Sequence, residues 1–428
     1  MLYPANSYIK GHFAVRKKLL TILLTLSLLL VVGCRNLNKG LMKRIYAKDF
    51  LGKGKVTYTA NTKYQLTDTK LKEMVFYGAV KIEDVTVIYQ YGLNEQADYI
   101  ARQVKYLISN IEEKTGLEIR YGVNVHLLRL DEIPQSYTMK FKSDPNNFRI
   151  PLLVEAGNES CEAVISQNFV YPGILIHELA EMSLTTRKDK GVILPDATWG
   201  GFFLKGKILN YTRWFREGFA NYAGFLALET ASSDINYEYT QAHLKIHSHP
   251  LSSLNKIGKK LFKWHQYSPN GGTRDYYNAA LGLFLVIRDK FGAEAIREII
   301  LEINKHGYLD GNDLIRISNK VLKTDIEEMA SSFQFPKTGL EVEPLTPAKA
   351  QNEGFGITKG LFVKSIEPDS PAETARIKSN DVILKIDKKT IRNILEFEMA
   401  IFKSASQQNV DVLIWRSGEG EMIRTLQL

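Results

Sequence analysis

Three long stretches with the apolar spacing of helices occupy the middle of this chain, at residues 171–186, 212–230 and 274–301. Helices this apolar have to bury a face against other elements, so any fold the chain adopts is organised around them. Ahead of them the pattern is different. Val85-Thr86-Val87-Ile88-Tyr89 is β-branched and aromatic, and Val123-Asn124-Val125-His126-Leu127-Leu128 alternates, so both read as strands. Between them, Ala97, Ile100, Val104, Leu107, Ile108 and Ile111 recur at helical spacing over residues 94–115, and Gly116 sits where a left-handed C-cap belongs. A loop region is expected from there to about residue 165. Residues 309–333 read as a further helical pair. The expected fold class is therefore α+β, a small mixed sheet followed by a helical half.

The texture changes again near residue 350, to short strands separated by turns. Gln334–Leu340, with prolines at 336, 344 and 347, reads as the linker before that separate domain. The 428 residues are 44% hydrophobic and 24% charged, with 13 Pro and 30 Gly, which excludes collagen-like, low-complexity and wholly disordered chains. Two Cys cannot make a disulfide scaffold or a four-thiolate zinc site. The sequence holds no phosphate-binding Gly loop and no nucleic-acid module. Its densest basic cluster, Lys256, Lys259, Lys260 and Lys263, reads as a solvated face.

The N-terminus reads as an address. Lys10, Arg16, Lys17 and Lys18 precede an apolar run from Leu19 to Val32, the pattern of a bacterial export signal. That run is shorter than the ~20 residues a membrane-spanning helix needs. It ends in Val31-Val32-Gly33-Cys34, which looks like the lipobox of bacterial lipoproteins. The resemblance implies that Cys34 is lipidated and becomes the mature N-terminus, tied to a membrane through its acyl chains. Residues 1–33 hold four basic residues and no acid, so +9 less those four leaves a formal charge of +5.

The most informative local pattern is Leu175-Ile176-His177-Glu178-Leu179-Ala180-Glu181. His177 and Glu181 are i and i+4, so they project from one helix face a turn apart and can share one metal ion. Glu178, one position on, can lie beside the ion and accept a proton from a water whose pKa the metal lowers toward ~7. The usual pattern is His-Glu-x-x-His, and here the second His is Glu181. Two carboxylates would make the ion a poorer Lewis acid, and manganese or iron tolerates oxygen ligands better than zinc does. His243, His247, His249 and His265 follow later in the chain and read as polar surface residues.

Two further segments give the pattern a family. Trp214-Phe215-Arg216-Glu217-Gly218-Phe219-Ala220 resembles the Trp-x-x-Glu-Gly-Phe-Ala segment of gluzincin metallopeptidases, the thermolysin- and aminopeptidase-like group. The resemblance implies that Glu217 is the third metal ligand. Tyr277 to Gly292 resembles the Tyr-x-x-Gly helix of the same family, with Ala280 in place of the usual Gly. It implies that the Tyr277 hydroxyl bonds the oxyanion developing in amide hydrolysis, with Tyr276 as the neighbouring alternative. The resemblance covers about residues 80–333. No Gly-x-Met-Glu-Asn segment is present, so the sequence gives no support for aminopeptidase specificity.

The C-terminal segment resembles a PDZ domain over residues 350–428. On that resemblance Gly354-Phe355-Gly356-Ile357 presents backbone N–H groups to a peptide carboxylate, and the peptide adds as a strand to an open sheet edge. Arg376 and Asn380 stand where the family often has Gly. The expected organisation is a signal at 1–33, a tether with N-terminal strands at 34–79, a peptidase domain at 80–335, a linker at 336–349 and a PDZ domain at 350–428. The expected function is metal-dependent peptide hydrolysis in the bacterial cell envelope. His177, Glu181 and Glu217 hold zinc or another divalent ion, with Glu178 and Tyr277 catalytic. Expected partners are a peptide or protein substrate, protein C-terminal tails and the membrane, and no nucleic acid. The alternative is an inactive pseudopeptidase that keeps the cleft and the PDZ domain for binding alone.

Overall fold

The structure is a computed structural model that describes residues 56–60, 76–119, 122–129, 152–153, 160–166, 173–187, 191–192, 194, 212–230, 249–267 and 274–428. Cys34, the expected signal segment, His243 and His247 lie outside the described residues. Among the described residues no helix is long and apolar enough to cross a membrane.

The first sheet has six strands in the order β1-β2-β3-β4-β6-β5. These are β1 (Val56–Ala60), β2 (Gly78–Ile82), β3 (Val85–Tyr89), β4 (Gly122–Leu128), β5 (Leu152–Leu153) and β6 (Ser160–Ser166). Helix α1 (Asn94–Thr115) crosses between β3 and β4, which pair in parallel from Val85↔Val123 to Tyr89↔Leu127. Gly116 ends α1 in the left-handed region at φ 69°, with its N–H on the Glu112 carbonyl, as the C-cap expectation requires. Ala97, Val104 and Ile111 of α1 are fully buried. Two expectations change here. β1 and β2 belong to this sheet, so the body reaches back to Val56, well before residue 80. The region expected as loop up to residue 165 contains β6, which pairs in parallel with β4 from Gly122↔Ser160 onward.

The helical half follows: α2 (Gly173–Thr185), α3 (Arg213–Thr230), α4 (Pro250–Ile257), a 3-10 turn (Gly258–Lys263), α5 (Trp264–Tyr267), α6 (Arg274–Phe291), α7 (Ala293–Asn304), α8 (Gly311–Leu322) and α9 (Ile326–Ser332). Short strands β7 (Thr186–Arg187) and β8 (Gly191–Val192) form a ribbon after α2. Helix α3 packs against both α2 and α6. Its apolar face carries a ring cluster: Phe215 meets Trp214 and Phe284 edge-on, both at 5.3 Å. The third long helical stretch is two helices, parted at Gly292, whose φ is 84°. The Lys256–Lys263 cluster lies on α4 and the turn after it. Lys256 points to solvent and pairs with Asp275, while Leu251, Leu254, Leu261 and Phe262 are buried on the opposite side.

The C-terminal domain is built on a second sheet in the order β14-β13-β11-β10-β9, with β12 paired to β11. Its elements are β9 (Leu340–Pro344), α10 (Pro347–Asn352), β10 (Leu361–Ile366), α11 (Pro371–Thr374), β11 (Val382–Ile386), β12 (Lys389–Thr390), α12 (Ile394–Ser404), β13 (Asn409–Arg416) and β14 (Gly420–Gln427). Val410, Val412 and Ile414 alternate along β13 and are fully buried, with Leu361, Val363, Ile383 and Ile401 around them. The expected linker at 336–349 is not one. Leu340–Pro344 pairs with β10 as the edge strand of this sheet, because Leu340 and Val342 alternate inward on a five-residue strand.

Candidate metal centre

Helix α2 places His177 and Glu181 on one face, and α3 packs beside it with Glu217 turned inward. The His177 Nε2 atom lies 4.0 Å from Glu181 Oε2 and 3.8 Å from Glu217 Oε2. His177, Glu178 and Glu181 together offer ligand-type atoms that all lie within 4.8 Å of one another. A tetrahedral ion with ~2.0–2.2 Å bonds holds its ligand atoms ~3.3 Å apart. The separations of His177 Nε2 from Glu181 and from Glu217 need to close by less than about 1 Å to reach that spacing. One imidazole nitrogen and carboxylate oxygens form a donor set that suits zinc, manganese or iron. The residues present therefore fit a divalent ion.

The close approach of α3 to α6 is what brings Glu217 into place. A Cβ on Gly218 would come within 2.9 Å of both the Ala280 carbonyl oxygen and the Phe284 ring. The Gly after Glu217 thus lets two helix backbones touch. Helix α6 carries Tyr277 at its first turn. Its hydroxyl accepts a 2.6 Å hydrogen bond from Arg213 Nη2, and its ring meets Trp264 edge-on at 4.9 Å. Tyr276 is buried instead against the other side of Trp264, in a stacked contact at 5.4 Å. Tyr277 is therefore the tyrosine that shares this cluster with Glu217.

Electrostatics set these groups apart. Burial raises the Glu178 carboxyl to about 7; His177 opposes this, while Glu181 and Glu217 add to it. Burial first, then the Glu217 charge, pushes the Tyr277 hydroxyl up to about 12, so it keeps its proton at neutral pH. Two arginines that the motif reading passed over complete the cluster. Arg216 Nε is 3.0 Å from Glu181 Oε1 and Arg213 Nε is 3.6 Å from Glu217 Oε1. A signal for both was in the sequence. Arg213 stands four residues before Glu217 on one helix face, and Arg216 interrupts an apolar run, where a buried cation needs a partner. His249 is elsewhere, 3.4 Å from Glu398 of the C-terminal domain.

The expected peptide loop at Gly354–Ile357 is also misplaced. It leads into β10, which is paired on both sides, by β9 and by β11. Phe355 packs on Phe362 and Trp415 as part of a small apolar cluster. β9 is an edge strand of this sheet, as is β14 at its other end, and the loop entering β9 is Phe335–Gly339. Gly339 has φ 73°, and a Cβ there would meet the Ser370 side chain at 2.1 Å. The missed signal is the Thr338-Gly339-Leu340 step itself, a small residue and a glycine directly before an alternating strand.

A family model for the PDZ domain matches residues 336–426, so the C-terminal domain is a PDZ domain and its first strand is β9. A probable periplasmic serine endoprotease, DegP-like, from Chlamydia muridarum is 28% identical over 131 residues, 30% of this chain and 24% of that protein. The chain spans about a quarter of that relative's length. Among solved structures, the HtrA-type protease AlgW with a decapeptide is 26% identical, covers 26% of this chain and 34% of that one, and has a TM-score of 0.23. An aminopeptidase N family protein from Idiomarina loihiensis is 15% identical, covers 80% of this chain and 64% of that one, and has a TM-score of 0.37.

Proposed function

We propose that this chain is a gluzincin-like metallopeptidase of the bacterial cell envelope, anchored through Cys34, whose PDZ domain holds the C-terminal tail of a substrate or partner. The observation that carries the reading is the convergence of Glu181 and Glu217, from two helices, on His177 Nε2 at 4.0 and 3.8 Å. His177, Glu181 and Glu217 would hold the ion. A bound zinc or similar divalent ion supplies Lewis acidity to a carbonyl oxygen and lowers the pKa of water. Glu178, its carboxyl raised toward neutrality by burial, accepts the proton of the attacking water and hands it to the leaving amine. Tyr277, protonated at working pH, donates to the oxyanion. Arg213 fixes the Tyr277 hydroxyl from behind at 2.6 Å. The envelope location rests on the export-signal pattern, the lipobox-like run ending at Cys34 and the similarity to a probable periplasmic endoprotease.

One observation favours a second reading. Arg216 already supplies a cation to Glu181 at 3.0 Å, as it would in a cleft kept for binding alone. Metal analysis of the protein from Cys34 onward decides between the two. Stoichiometric metal that disappears in Glu217→Ala supports the peptidase, and Glu178→Gln should then keep the metal and lose hydrolysis. Wild-type protein that takes up no zinc, manganese or iron would sink the peptidase reading.

A further inference from the structure

The PDZ groove of this chain faces its own body. Two adjoining cavities of about 440 and 470 Å³ run along the open edge of β9. One is entered over the Phe335–Gly339 loop, and the other lies between β9 and α12, with Leu340, Val342, Ile394 and Phe397 as its apolar lining. Ser252 of α4, a helix of the body, lines both cavities.

Helix α4 is bound there. It begins at His249, which makes no capping bond of its own. The first N–H groups of a helix need an acceptor. Here the acceptor comes from the other domain. Leu251 N donates to Glu398 Oε2 at 2.7 Å, and Ser252 Oγ donates to Glu398 Oε1 at 2.5 Å. His249 Nδ1 lies 3.4 Å from the same carboxylate. Glu398 projects from α12, the wall of the groove, and only 1% of it is exposed. On the opposite side, Asn255 of α4 accepts a 3.2 Å bond from Phe335 N, at the loop that enters β9. Helix α4 therefore grips the helix wall and the entry loop of the groove at once.

We infer that α4 and a free C-terminal tail compete for the loop end of the PDZ groove. This rests on the tail-binding reading above. The occupant that fits is a peptide with a free carboxylate and an apolar last residue, because the open β9 edge offers strand pairing and Leu340, Val342, Ile394 and Phe397 give the otherwise polar groove an apolar seat. To seat its end at the Phe335–Gly339 loop, the tail must free α4 from Glu398. Helix α4 also packs along α6, the helix that carries Tyr277.

The test uses the full chain from Cys34 and fluorescein-labelled decapeptides ending in Val, Leu, Ile, Phe or Ala, each as free acid and as amide. Affinity is read by polarisation in wild type, Glu398→Ala and Ser252→Ala. Competition requires that both variants bind free-acid peptides more tightly, by about tenfold for Glu398→Ala, with no gain for the amides. It also requires that peptide binding to wild type lowers hydrogen-exchange protection at Leu251 and Ser252. Equal or weaker binding by both variants, or unchanged protection, overturns the competition while leaving tail binding intact. Absence of binding by any peptide to wild type and variants alike overturns the tail-binding reading and the competition with it.

Discussion

Arg216 reaches from α3 to α2 and sets its Nε 3.0 Å from the Glu181 carboxylate, at the position where a second histidine was expected. The pair carries no net charge, as a neutral imidazole would. Arg216 itself is 2% exposed, so the pair is held in a medium where an unmatched charge is costly. Replacing Arg216 with Met should remove the guanidinium beside the partly exposed Glu181 carboxylate in the metal-free protein and destabilise it by roughly 1–3 kcal/mol. The same change removes a cation that competes for Glu181, so zinc should bind more tightly. The expected result is a wider gap between thermal midpoints with and without zinc than in wild type. A gap that narrows would show that Arg216 assists the ion instead of competing with it.

The Gly218 contact makes a second expectation. In an exposed helix, Gly→Ala stabilises by about 1 kcal/mol. Here the added Cβ would lie 2.9 Å from the Ala280 carbonyl oxygen, a backbone atom that cannot swing aside. Overpacking of that kind costs about 1–3 kcal/mol, so the sign reverses. Gly218→Ala should lower the urea midpoint of the body and weaken zinc binding, since Glu217 is the adjacent residue. A raised midpoint would mean that α3 and α6 do not touch as described.

How much of this was legible in the sequence depends on the range of the interaction. The βαβ lead-in and the α3 segment follow from local periodicity and a glycine cap, and the residue pattern alone places them. The proximity of His177 and Glu181 could be read from helical spacing, and Glu217 came in through the resemblance of its segment to a known motif. Arg216 as the partner of Glu181 could not, because that pairing needs α2 and α3 to be docked. The β9 strand was hidden by prolines at 336, 344 and 347, which read as a linker. An edge strand tolerates proline at its end because its outer N–H groups need no partner, and only the pairing with β10 reveals it. The Gly354–Ile357 loop misled for the same reason: a glycine-rich loop looks alike before an edge strand and before a central one.

Glu178 gives a pH dependence for the metal-free protein. Its carboxyl is raised from the ordinary 4.5 to about 7, chiefly by burial. A group whose pKa is higher in the folded state favours folding fully below its unfolded value, and that contribution is lost as pH rises through the folded one. The loss should therefore run from about pH 4.5 to pH 7, and it is absent in Glu178→Gln. With zinc removed by chelation, the difference between Glu178→Gln and wild type should already shift in the variant's favour by about 1 kcal/mol between pH 5 and pH 6. At pH 8 the variant should gain by roughly 1–3 kcal/mol relative to its difference at pH 5. Denaturant titrations across that range measure it, and parallel curves would mean that Glu178 is not buried as described.

The turn before β11 supplies the last expectation. Arg376 and Asn380 stand where glycine is frequent in PDZ domains, yet both keep a left-handed backbone, with φ of 57° and 72°. For Arg376 that conformation costs about 1–2 kcal/mol. What holds it is Arg416 at the end of β13. Its guanidinium makes two bonds to the buried Asp381 carboxylate, at 2.7 and 2.8 Å, and a third to the Arg376 carbonyl at 3.0 Å. Asp381 in turn accepts from Lys378 N at 2.8 Å, which closes the turn on itself. Removing Arg416 leaves a carboxylate that is 1% exposed without its cation, so Arg416→Met should cost about 3–5 kcal/mol. Arg376→Gly should recover part of that loss, because glycine adopts the left-handed region without the steric penalty and the carbonyl is unchanged. In the wild-type background Arg376→Gly should be worth less than about 1 kcal/mol, since the network already holds the turn. A rescue no larger in the Arg416→Met background than in wild type would show that Arg416 stabilises the domain only through Asp381.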